Sequence, residues 1–170
     1  MPRQETIRRA QRDKRQGKAP STQAGEFVRE EIEDIRHGRH GARNTKQAIA
    51  IGLSKARRAG VDLPPPEKGK TKASTRKSAK YAYEAGQGRL KTTRRPRVGR
   101  AVENVLKHEP RSTASRKALS RQTKRAASRR SAADRSAAAR KAVRTKGAAE
   151  RSAAARKAAR TRACNRRRAA

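Results

Sequence analysis

Large apolar side chains are sparse in this chain, and they recur at helical spacing in only a few places. Between Glu26 and Gly38 the apolar residues Val28, Ile32 and Ile35 fall within about 60° of one another on a helix, with Phe27 at the margin. Glu26, Glu30 and Glu31 sit where the positive end of that helix favours acids, and Gly38 stops it. A second helix is predicted from Asn44, whose side chain caps while Gln47 reaches back. Its stripe is Ile49, Leu53 and Ala56, and Gly60 suits a left-handed stop. Residues 24–63 therefore read as a helical hairpin. Ile51 points about 160° away from the Ile49/Leu53 stripe, so a third contact is implied. The large apolar side chains are too few to offset the ordering of the hairpin alone, which calls for a partner helix, a second copy or a ligand.

Beyond Pro64-Pro65-Pro66, which cannot continue a helix, residues 64–96 read as a linker rich in Pro, Gly and Lys with a weak helix over Ser74 to Ala85. In the amphipathic segment 97–110, Val98, Ala101, Val102, Val105 and Leu106 recur at helical spacing before Pro110 ends the pattern. This segment is one candidate partner for the hairpin. From Arg111 the apolar content is almost wholly Ala, so helix is locally favoured but a core is not. Arg135-Ser-Ala-Ala-Ala-Arg-Lys-Ala-Val-Arg-Thr-Lys146 returns sixteen residues later as Arg151-Ser-Ala-Ala-Ala-Arg-Lys-Ala-Ala-Arg-Thr-Arg162. Sixteen residues rotate a helix by about 160° net, so the copies share no face and read as duplicated charge, not as a stacking unit. The expected fold class is mostly α. A basic flexible arm (1–23) precedes the hairpin, and a largely disordered or conditionally helical basic tail (111–170) ends the chain.

Charge changes this picture from a weak fold to a function. The 170 residues carry 49 Lys and Arg against 14 Asp and Glu, a net +35. Residues 111–170 hold 21 bases and 2 acids, 21 − 2 = +19, over half of the excess. A duplex carries one charge per about 1.7 Å, so the whole excess would match roughly 60 Å of DNA. DNA is the expected partner, with RNA left open. No stretch is long and apolar enough for a membrane span, and the start lacks the apolar run of a secretory signal. No membrane role and no small-molecule substrate are expected, and the protein is expected to be cytoplasmic and nucleoid-associated. The three aromatics, Phe27, Tyr81 and Tyr83, are too few for an extended base-stacking platform.

The phosphate contacts expected from the tail are Arg129, Arg130, Arg135, Arg140, Lys141, Arg144, Arg151, Arg156, Lys157, Arg160, Arg166, Arg167 and Arg168. Their side chains surround whatever helix or strand they form, and two acids leave them almost no internal partners. Secondary contacts are expected from Lys46, Lys55, Arg57, Arg58, Arg94 and Arg95. In a helix-turn-helix reading, Thr45 to Ala59 would be the recognition helix. The loop Gly38 to Arg43 is long for that motif, and five acids between Glu26 and Arg36 would repel phosphates, so a packing hairpin fits better. That hairpin is open to self-association or to a protein partner. Glu33, His37 and His40 lack a fourth donor nearby, and Cys164, among Arg residues, has no His near it in sequence. No metal, cofactor or catalytic residue is expected, and the protein reads as a non-enzyme.

The run Glu30-Glu31-Ile32, His37-Gly38, then Gly41-Ala-Arg-Asn-Thr-Lys-Gln-Ala-Ile-Ala-Ile-Gly-Leu-Ser-Lys-Ala-Arg-Arg-Ala-Gly60 resembles an uncharacterised family of small basic bacterial proteins often labelled DNA-binding. The resemblance covers about residues 24–66, names no chemistry and carries over no functional residue. The Ala/Arg/Lys tail is similar to those of bacterial linker-histone-like proteins, which implies coating or condensation of DNA without sequence choice. With 16 Arg, 5 Lys and no Pro over residues 111–170, it departs from the usual Lys- and Pro-rich pattern, and Arg also suits RNA.

Overall fold

A computed structural model describes residues 2–90, 96–145 and 147–169, and the elements formed by these residues are all helical. They are α1 (Gln4–Arg15), α2 (Pro20–Arg36), α3 (Thr45–Arg58), α4 (Ala73–Gly86), α5 (Pro96–His108), a 3-10 turn (Arg111–Ala114), α6 (Arg116–Ser128), α7 (Ala132–Thr145) and α8 (Ala148–Ala169). The chain divides into two compact units, Met1–Thr123 and Lys124–Ala170.

The hairpin is α2 against α3. Asn44 caps α3 by accepting from the Gln47 backbone N–H at 2.9 Å, while the Gln47 side chain accepts from Arg43 N, one residue earlier than a capping box would have it. Gly38 and Gly60 end the two helices with φ of 76° and 86°. The helices cross at Gly52, where an added Cβ would lie 2.7 Å from Val28 Cα, so the backbones touch with no side chain between them. Proline-led α2 begins at Pro20, earlier than the Glu26 start expected, because Pro suits the first helical position and Ala24 extends the apolar face to residue 24.

Two apolar clusters hold the first unit. One gathers Ala10, Ala24, Phe27, Ala56 and Val61, with Ile7, Leu53 and Leu63 against it. The other gathers Ile32, Ile35, Ala42, Ala48 and Ala114, with Val28 and Leu119 against it. Both depart from the expected organisation. Most of the supposed arm is α1, packed on α2 through Ala10 and Ile7 and through Arg3 and Arg9, which pair with α2 acids. The expected tail also begins too early, because Ala114 is fully buried and Leu119 packs beside it. Thr45 Oγ1 donates to the Thr113 carbonyl at 2.7 Å and Arg36 Nε donates to that of Ala114 at 2.9 Å, so the 3-10 turn clasps the loop end of the hairpin.

The weak helix is α4, docked on α3. Its Gly86 lies on the Arg57 carbonyl, where a Cβ has no room, and the Tyr83 hydroxyl donates to Asp62 Oδ1 at 2.7 Å. That hydrogen bond to a carboxylate pushes the Tyr83 phenol above its ordinary range. By contrast α5 does not supply the hairpin's partner face: Val98, Val102 and Val105 are more than half exposed, and only Leu106 is half-buried. Its C-terminal end is nonetheless tied to the hairpin loop, with Gly41 N donating to the Leu106 carbonyl at 2.7 Å. Ile51 is half-buried, consistent with a contact beyond the α2/α3 seam.

Candidate nucleic-acid interface

The cations of the chain fall into two populations, separated by how far acids match them: several in the first unit sit in ion pairs, while those of the tail heavily outnumber its two acids. On the first unit, α2 presents its acids inward. Glu26 Oε2 meets Arg9 Nε at 2.9 Å, Glu30 accepts from the Arg3 backbone N–H, and Asp34 pairs with Arg3 and, at 3.0 Å, with Arg39. Glu31 is fully buried, with Lys55 Nζ 2.6 Å from Oε2 and His40 Nε2 3.4 Å from Oε1. Neither contact has hydrogen-bond alignment, so the carboxylate is held by charge more than by directed bonds. Lys55 Nζ is also 3.9 Å from Asp34 Oδ2.

This arrangement removes two expected secondary contacts from the surface. Lys55 is committed to Glu31 and Asp34, a role the α3 sequence could not disclose because its partners come from α2. Arg57 is 7% exposed and donates Nε to the Leu63 carbonyl at 3.0 Å and Nη2 to that of Pro64 at 3.3 Å, fixing the start of the proline run. Burial lowers its pKa, though a guanidinium stays charged. Lys46 and Arg58, the other two secondary contacts expected from α3, are exposed. Arg94 and Arg95 lie outside the described residues.

Among the described residues, Glu31, Asp34 and His40 bring one donor atom each to within 4.8 Å of one another. They are not the Glu33/His37/His40 trio that the sequence suggests: His37 Nδ1 instead donates to the Glu33 carbonyl at 2.8 Å. The Lys55 ammonium already stands against two of the three donors, so the cluster is a charge-balanced part of the fold.

The second population is the tail. Arg129, Arg130, Arg135, Arg140, Lys141 and Arg144 are exposed on or beside α7, and Arg151, Arg156, Lys157, Arg160, Arg166 and Arg167 are exposed on α8. The side chain of Arg168 lies outside the description. Exposed Arg162 belongs to the same set, although it does not figure among the expected contacts. Cys164 is free and exposed.

Each repeat copy opens a helix. Ala132-Ala-Asp134 starts α7 and Ala148-Ala-Glu150 starts α8, so the tail's two acids occupy the same first-turn position, where a carboxylate favours the helix. Ser131 completes the first start: its hydroxyl accepts from the Asp134 backbone N–H at 3.0 Å and donates to Asp134 Oδ2 at 2.8 Å. Thus the sixteen-residue period is that of a self-starting basic helix, a meaning that a reading by faces alone misses.

Fold and charge together define a mostly helical protein in which a small packed module is joined to cationic helices. Residues 3–68 match the model of a family of unknown function, DUF6496, so the likeness extends back through α1 and not merely over the hairpin. No curated protein and no solved structure matches the chain.

Proposed function

We propose that the protein binds DNA without sequence preference, as a histone-like, nucleoid-associated protein whose Arg-rich tail neutralises phosphate. The observation that carries this reading is the contrast between the two cation populations. Residues 3–68 hold 16 bases and 9 acids, 16 − 9 = +7, and Arg3, Arg9, Arg39 and Lys55 among those bases stand in the ion pairs described above. Residues 124–170 hold 17 bases and 2 acids, 17 − 2 = +15 in fewer residues, on exposed helices. A surface of that density is stable and soluble only with counterions, and their release on meeting a phosphate polymer is a strong driving force.

Phosphate contacts alone do not read sequence, and the tail's uniform Ala/Arg composition supplies no base-specific set of the usual kind. The test uses a chain ending at Thr123, which keeps the 3-10 turn and Leu119 in place. Its affinity for duplexes of different sequence should fall at least roughly tenfold, by the same factor for each, in gel-shift titrations at fixed salt. Unchanged affinity would remove the tail from the interface.

A further inference from the structure

Helix α8 has a charge pattern more particular than its composition suggests. It runs 22 residues, about 33 Å at 1.5 Å per residue, close to one turn of B-form DNA. With Arg151 set at 0° and about 100° per residue, Arg162 and Arg166 lie near 20° and 60°, and Lys157 lies near 240°. Arg151, Arg162 and Arg166 form one cationic flank; the other is Lys157, with the acid Glu150 near 260° in the first turn of the helix. Between the flanks, near 280–340°, fall Ala154, Ala158, Thr161 and Asn165, an uncharged sector over the middle half of the helix. A third group, Arg156, Arg160 and Arg167, lies near 140–180°, on the side away from that sector.

We propose that α8 seats in the major groove of B-form duplex DNA, uncharged sector toward the base edges and each flank toward one phosphate strand. This rests on the reading of the tail as the nucleic-acid-binding element, and it names the form of nucleic acid and the groove. The B-DNA major groove is about 12 Å wide and admits one helix, and a helix there meets phosphates on two sides and bases on a third. Charge complementarity follows the same division, with three Arg at one rim, Lys157 at the other and no cation among the four sector residues that face the floor. The small Ala side chains and the short Thr161 and Asn165 permit close approach, with methyl and hydrogen-bonding groups that suit base edges without demanding one sequence. The major groove of an A-form RNA duplex is deep and narrow and excludes such a helix.

The test compares two triple variants of the full chain that lose the same charge. Arg151→Gln/Lys157→Gln/Arg162→Gln strips the flanks, and Arg156→Gln/Arg160→Gln/Arg167→Gln strips the rear. Gln keeps helix propensity, and circular dichroism with DNA present checks that both variants form α8 equally. On a short duplex in excess over protein, the flank variant should reduce the slope of log affinity against log salt by about 2.7, at about 0.9 per lost phosphate contact. The rear variant should change it by less than about 1. A double-stranded RNA of the same sequence should bind the unaltered chain at least roughly tenfold more weakly than the DNA. Equal slope changes for the two variants, or equal affinity for the RNA duplex, would overturn groove seating in favour of a flexible polycation. If the unaltered chain binds neither polymer, the proposed function itself fails.

Discussion

At the scale of single residues, the fold depends on places where nothing larger or uncharged will fit. At Gly52 an added methyl would press on Val28 Cα, so Gly52→Ala should force α2 and α3 apart and cost about 1–3 kcal/mol, read by thermal or chemical unfolding. Gly25 is the matched control: it is helical and exposed with open space around it, so Gly25→Ala should be neutral or stabilise by up to about 1 kcal/mol. Equal effects would mean that the close approach is not what Gly52 provides. Lys55 gives a second case. Lys55→Ala would strand the Glu31 carboxylate, which is fully buried, and should destabilise by about 2–4 kcal/mol, a range that allows for the partial exposure of Lys55. The double variant Lys55→Ala/Glu31→Gln should recover much of that loss in the same unfolding measurement. Asn44 and Gly60 were legible in the sequence because capping and left-handed stops are local chemistry. The inward turn of Lys55 and Arg57 was not, since their partners lie on α2 and in the Leu63–Pro64 segment.

At the scale of elements, helices with their own apolar periodicity were readable and those held by scattered contacts were not. Helix α1 has a thin apolar face, with Ile7 and Ala10 as its packed members, and owes its position to Arg3 and Arg9 reaching α2 acids. Such pairing across elements leaves no period in the sequence. The same is true of the 3-10 turn, whose anchor is one buried alanine and two side-chain bonds to its carbonyls. That turn closes the second apolar cluster over Ile35 and Ala48, so its loss should be felt by the hairpin. A chain ending at Glu109 should therefore melt at least several degrees below one ending at Thr123, since one or two kcal/mol lost from a small domain shifts its midpoint by that amount. Equal melting temperatures would show that the clasp contributes nothing. A deletion starting at 111 thus mixes two effects, because it removes part of the module along with the cationic helices.

At the scale of the whole molecule, ion pairing, more than hydrophobicity, distinguishes the two ends of the chain. The excess of bases announced a polyanionic partner from composition alone, but composition could not say which bases are already spoken for. Folding settles that for α2 and its neighbours, because acids there are packed against Arg3, Arg9, Arg39 and Lys55. On α7 and α8 the bases outnumber acids too heavily for any internal arrangement to match them. Binding should then be governed by counterion release from the tail. With roughly ten phosphates engaged, log affinity for duplex DNA should fall against log salt with a slope near −9. Removing residues 124–170 takes away 17 of the 49 bases, yet should flatten the slope to about −3 or shallower. The reason is spacing: the remaining cations are spread over a folded surface, and several are held by carboxylates, so few can meet consecutive phosphates. A slope reduced only by the fraction of bases removed, to about −6, would mean that the module's cations bind as well as the tail's and that internal pairing does not partition function between them.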